Sequence, residues 1–318
     1  METRPLVIRL KEGDSMQRTV ADANPSIIIH ADDFGIAPEQ SRRILSCSAA
    51  CGGDGCLNSL SVIVGSPRFE ECAVLLDPYI GDIHVGLHLN LVEGPCSADP
   101  GSVPLLVDEQ GVFNQGFGGL LQLSFLDGER LREQVAREAA AQLDVFLRRF
   151  PALGGRLRID SHQHTHLIPA VLDGLLDAVW AAGQAPKYLR VPFEPTAPFF
   201  TNADVLSRVL PVNWVKHCLL NVLWRLDRRV LDGAGILSGV FCGINFSGHM
   251  TADNVASVFE SFWNLSCSQG RPLELLFHPG GIEQAEDCLN PALPGFVAFY
   301  QSEYRNLEGE ALRLFGEM

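Results

Sequence analysis

Ile27-Ile28-Ile29-His30-Ala31-Asp32-Asp33-Phe34-Gly35 decides how this chain is read. Three consecutive β-branched residues with no polar alternation predict a strand covered on both faces, as in a parallel sheet. The strand runs into two adjacent carboxylates, and Gly35 permits a sharp turn. Helix-like sequence starts at Pro38, so Asp32 and Asp33 stand at the C-terminal end of a strand, where α/β folds gather their chemistry. Two neighbouring carboxylates repel there unless a cation or a shared proton compensates. A helix cap or Asx turn explains one of them and not the second. In an ideal strand they would also face opposite ways, so one site can use both only if the backbone twists at the Phe34-Gly35 turn.

The rest of the chain repeats the strand-then-helix order. Strands are predicted over 27–33, 59–64, 83–91, 156–160, 188–191, 240–246 and 273–277. Helices are predicted over 38–50, 68–76, 127–149, 169–182, 203–231, 252–265 and 296–315. Seven strands interleaved with helices imply a parallel sheet. No G-x-G-x-x-G or Walker pattern opens a helix, which counts against a nucleotide-binding doubly wound fold. The expected architecture is α/β: a distorted (β/α) TIM-like barrel of about seven parallel strands, one domain over 26–318. Residues 1–25 read as a polar N-terminal extension, and 94–126, rich in Gly, Pro and Leu, as an insertion near the mouth.

Charge narrows the partners. A net charge of −14 over 318 residues argues against nucleic acid and anionic membranes. No apolar run reaches transmembrane length and no secretory pattern opens the chain. Nine cysteines, scattered and without a CxxC pair, read as reduced thiols in a cytoplasm. Cys47 and Cys51 stand at helical spacing and read as small packing residues. A homodimer is left open.

Each strand ends in polar residues: Asp32-Asp33, His88 with Asn90, Asp160-Ser161-His162, Arg190, and His278 before Pro279. A barrel brings these ends to one mouth. Two histidines and a carboxylate suit zinc, iron or another divalent ion. In Asp160-Ser161-His162-Gln163-His164-Thr165-His166, alternate residues would share a strand face, but the run also leaves the strand, so not all can bind one ion. His164 and His166 read either as substrate contacts or as hydrogen bonds behind the ligands. His84, toward a strand start, reads as a satisfied core histidine, as do His30 and His217; His249, in a loop, is undecided. The strand-end position of Arg190 favours a functional role over a surface ion pair.

Taken together, HADDFG, HVGLHLNL, RIDSHQHTHLIP, LRVPFE, the turn at Phe246-Ser247-Gly248 and LLFHPG resemble the YdjC-like carbohydrate deacetylase family, which includes chitooligosaccharide deacetylases. The resemblance runs from about residue 27 to 281. It implies the TIM-like barrel, one divalent metal ion (magnesium or zinc), and removal of an N-acetyl group from an amino sugar or oligosaccharide. By motif, Asp33, His88 and His162 become the metal ligands and Asp32 the catalytic base. His278 becomes the acid or a substrate contact, with Arg190, His164 and His166 as substrate-binding candidates. The metal would polarise the acetyl carbonyl and acidify its bound water toward roughly pKa 7, with Asp32 taking the proton and a histidine protonating the amine. Ser41 and Gly65 stand where many members carry asparagine, and 49–55 is unusually rich in Gly and Cys, so the sugar is not specified. Two alternatives stand beside this reading. One is a carbohydrate-binding protein without turnover, which would not need Asp32. The other is a different metal enzyme, a phosphoesterase or a non-haem iron oxygenase; few basic residues near the motifs disfavour phosphate.

Overall fold

The computed structural model describes residues 26–316; the stretch 1–25, expected as an extension, lies outside them. The triple isoleucine forms β1 (Ile27–Phe34), paired in parallel with β2 (Ser59–Val62) on one side and β7 (Leu273–Phe277) on the other. With β3 (His84–Leu89), β4 (Arg158–Ser161), β5 (Tyr188–Leu189) and β6 (Val240–Cys242), the order is β5-β4-β3-β2-β1-β7-β6, every pair parallel. The sheet curls until its edges touch. Leu189 N–H donates to the Leu237 carbonyl at 3.0 Å, and Gly239 N–H to the Tyr188 hydroxyl at 3.1 Å. This is the distorted TIM-like barrel, one domain, with a seam between β5 and β6.

Among the described residues ten α-helices surround it: α1 (Pro38–Leu45), α2 (Phe69–Leu76), α3 (Phe117–Leu126), α4 (Gly128–Arg149), α5 (Pro169–Ala181), α6 (Ala203–Arg208), α7 (Pro211–Ala234), α8 (Ala252–Gln269), α9 (Pro294–Tyr300) and α10 (Tyr304–Gly316). The helix predicted over 203–231 is two, because Pro211 opens α7 and holds Leu210 extended at ψ 141°. The last predicted helix likewise divides into α9 and α10. β6 stops at Cys242 because the Glu194 carboxylate takes the N–H groups of Gly243, Ile244 and Asn245 at 2.7–3.0 Å, replacing ladder bonds. The 94–126 segment contains α3 and docks on α4, where Glu138 accepts the Ser97 and Ala98 N–H groups and Gln134 accepts that of Leu105.

The core position expected for His84 does not hold. It is exposed at the start of β3, where the sheet end faces solvent.

Candidate active site

β1 ends irregularly. Its pairing with β2 shifts between Ala31 and Phe34, and Asp33 adopts φ 67°. That left-handed residue costs about 1–2 kcal/mol without a glycine, but it swings the second carboxylate to the side of the first. Asp32 and Asp33 therefore both reach the floor of one cavity of about 660 Å³. Gly35 completes the turn at φ 105°; a Cβ there would lie 2.7 Å from the Ile63 carbonyl oxygen, so no other residue fits.

Asp33, His88 and His162 come together, each offering a ligand atom within 4.8 Å of the others. Asp33 Oδ1 lies 3.0 Å from His162 Nδ1 and 3.5 Å from His88 Nε2. His88 Nδ1 is tied to Asp160 Oδ1 at 2.5 Å, while its Nε2 is buried with no hydrogen-bond partner. An imidazole anchored through one nitrogen by a carboxylate, with the other left free, is how proteins present histidine to a metal. The orphaned nitrogen and the donor set thus fit a divalent cation. Burial opposes charge on His88, yet Asp32 and Asp160 raise its pKa to about 10; burial likewise opposes charge on His162, and hydrogen bonds to Asp33 and Glu93 raise it to about 9. A bound cation would displace those protons.

A second group, His30, Asp32 and Asp160, also converges, but a cation of the protein's own already fills it. Arg190 Nη1 donates to Asp32 at 2.8 and 3.0 Å, Nη2 lies 3.1 Å from Asp160 Oδ2, and Nε donates to Glu274 at 2.6 Å. Burial alone would raise the Asp32 pKa; Arg190, then His88, pull it well below the usual carboxylate range. The substrate contact expected of Arg190 does not hold. It is 0 % exposed and its donors are turned to carboxylates under the floor. His166 is corrected for the same reason: it is 0 % exposed, with Nδ1 on Ser161 Oγ at 2.5 Å and Nε2 on the Arg190 carbonyl at 2.8 Å. His30, read as core, is buried on Ser59 and Ser61 and also lies 3.3 Å from Asp32 and 3.2 Å from Asp160, so it braces the floor.

The remaining expected residues face the cavity. Gln163 and His164 take φ 54° and 57°, ending β4 abruptly and bringing half-buried His164 to the wall. Burial, then Arg190, hold its pKa well below the ordinary imidazole value, so it stays neutral. His278 follows β7 with Nε2 3.8 Å from Asp32 Oδ2. Its N–H donates to Glu308, whose Oε2 also lies 3.7 Å from His278 Nδ1. His217 is a packing residue on Glu194 and Thr196, and His249 packs at a tilt of 42° against Tyr304 with ring centroids 4.0 Å apart.

Four residues were not foreseen from the sequence. Arg305 donates to Asp33 Oδ2 at 2.7 Å, sandwiched 4.5 Å from both the Phe299 and Tyr300 ring centroids. The Tyr300 hydroxyl donates to Glu93, whose Oε1 lies 2.9 Å from His162 Nε2. Glu308 completes the set. Glu93 alone carried a local signal, an acid just past the His88–Asn90 strand end. The others reach the floor from α9 and α10 through contacts no local pattern encodes.

A family model described as YdjC-like protein matches residues 26–315. Carbohydrate deacetylases are among the similar proteins. The Mus musculus one is 27% identical over 258 residues, covering 80% of this chain and 77% of its own length. That of Xenopus laevis is 29% identical over 286 residues, 84% of each chain, and that of Danio rerio 30% over 277, 82% of this chain and 83% of its own. A crystal structure from Enterococcus faecalis V583, described as a candidate cellobiose-phosphate cleavage protein, superposes with TM-score 0.57 at 20% identity, covering 92% of this chain and 91% of that one. That likeness concerns the fold.

Proposed function

We propose, for a chain that belongs to the YdjC-like protein family, that it hydrolyses the N-acetyl amide of an amino sugar or oligosaccharide. One observation carries the reading: Asp32, Asp33, His162 and His278 line a single cavity, and His88, buried behind its floor, offers a ligand atom within 4.8 Å of those of Asp33 and His162. One divalent ion, magnesium or zinc, held by Asp33, His88 and His162 would supply Lewis acidity toward the acetyl carbonyl and toward water.

The chain's own residues do the proton work. Asp32 accepts a proton as water adds to the carbonyl carbon. Arg190 favours the ionised form of Asp32 and so weakens it as a base, which helps the proton to move on. His278 is 3.8 Å away and positioned to deliver one to the departing nitrogen. The C–N bond then breaks to acetate and a protonated amine that cannot re-add. Asp160 orients His88 through Nδ1, and Arg305 fixes the outer oxygen of Asp33, leaving Oδ1 toward the imidazoles. The neutral ring of His164, on the cavity wall, is left to contact the sugar.

The test is acetate release from a panel of N-acetylated amino sugars by the metal-loaded protein, with Asp32→Asn as control. Release should fall roughly 10²–10⁴-fold in that variant. No release from any sugar, or undiminished release from the variant, would contradict the reading.

A further inference from the structure

The walls of the cavity differ in chemistry from its floor. Leu219 and Leu220 of α7 face Leu293, Phe296 and Phe299 of α9 and its approach, with Phe117 of α3 beside them. Among the described residues, the polar lining above the floor and His164 is only Gln163, Lys216 and Ser247. A free oligosaccharide needs a hydrogen-bond partner for nearly every hydroxyl it desolvates; the described residues of these walls offer few. The apolar character continues outward. Leu293 and Phe299 are 49% and 45% exposed, and Val215, one helical turn from Leu219, is 68% exposed. By contrast the Asp33 side of the floor is closed by Glu93, Tyr300 and Arg305, which are buried and bonded among themselves or to the site. That part of the floor is packed, and the open apolar space lies between α7 and α9.

We infer that the substrate is an amphiphile: an N-acetyl amino sugar whose anomeric oxygen carries an alkyl or aryl aglycone seated between α7 and α9. The inference rests on the deacetylase reading of the floor and adds the chemistry of the part that does not react.

The experiment measures binding by calorimetry and acetate release with the metal-loaded protein, using N-acetylglucosamine and its methyl, butyl and octyl glycosides below their micelle concentrations. Each methylene buried should tighten binding about fourfold, so butyl over methyl should gain at least tenfold in Kd and in kcat/KM. In Leu219→Asn/Phe299→Ser the dependence on chain length should flatten, a within-variant ratio that general destabilisation does not move. Gain in binding without acetate release from any arm would sink the deacetylase reading and leave the apolar subsite standing. Acetate release indifferent to the aglycone, or a gain undiminished in the double variant, would overturn the subsite. So would faster turnover as the N-acyl group, not the aglycone, is lengthened in an N-acetyl, N-butyryl, N-hexanoyl series.

Discussion

Arg190→Met should be among the most damaging single changes in this chain. Arg190 is 0 % exposed and answers three buried carboxylates: Asp32 at 2.8 Å, Asp160 at 3.1 Å and Glu274 at 2.6 Å. Methionine fills much of the volume, so packing loss is small and the electrostatic loss dominates. Removing one partner of a buried pair costs about 3–5 kcal/mol, a large part of the roughly 5–15 kcal/mol that holds a domain folded. Arg132, paired to Asp177 at 2.6 Å but about half exposed, is the control; Arg132→Met should cost under about 1 kcal/mol. The pH dependence has a definite sign. Arg190 holds Asp32 and Asp160 below their unfolded values, so its stabilisation is present above about pH 4 and lost as pH falls through the folded values. The gap between wild type and Arg190→Met should therefore be widest at pH 7 and narrow toward pH 4, where the unpaired carboxylates can protonate. Urea unfolding at both pH values measures it. If the two arginine variants lose equally, or the gap is independent of pH, the network is not what the structure makes it.

Three further perturbations separate packing, strain and chemistry. Asp227 of α7 is 3 % exposed with an unpartnered oxygen, and burial, helped by Asp173, pushes its pKa up to about 7. The folded state thus resists its ionisation as pH rises from about 4; Asp227→Asn should raise the melting temperature at pH 8 and not at pH 4, and equal shifts would refute this. Gly35→Ala places a Cβ 2.7 Å from the Ile63 carbonyl oxygen at φ 105°, so it should cost more than about 1 kcal/mol and disturb the Asp33 turn, read as reduced metal affinity. His278→Ala should lose roughly 10²–10⁴-fold on a sugar amide, keep its metal, and be far less impaired on a substrate whose leaving group needs no proton. Equal impairment on both would reduce His278 to a positioning role.

Much of this was legible because it is local. A β-branched run meeting two acids and a glycine encodes a buried strand, its end and its charge at once, and the backbone twist demanded by adjacent aspartates is present, although it begins at Asp33 itself and not at the Phe34-Gly35 turn where it was expected. The assembly of Asp33, His88 and His162 follows once parallel strands put their ends together. Arg190 shows where such reading stops. The sequence places a cation at a strand end but not whether its side chain points to the mouth or under the floor, which depends on Glu274 of β7 and Asp32 of β1. Arg305 and Glu308 lie 272 and 30 residues from their partners, and only packing of α10 on the barrel reveals them. His84 was misplaced because strand alternation assigns a face and not the solvent at the strand's end.

Metal stoichiometry across four variants tests the central claim most directly. Wild-type protein, Asp32→Asn, Asp33→Asn, His88→Ala and His162→Ala would each be loaded, desalted and assayed by elemental analysis, with melting curves with and without chelator. The account predicts one divalent ion in wild type and in Asp32→Asn, with chelation removing stabilisation that ligand at 100 times its dissociation constant sets at about 2.7 kcal/mol. It predicts little or none in the three ligand variants, and no effect of chelator on them. Metal lost from Asp32→Asn but kept by Asp33→Asn would reverse the two aspartates. Metal-free wild type, with overlaid melting curves, would contradict the account outright.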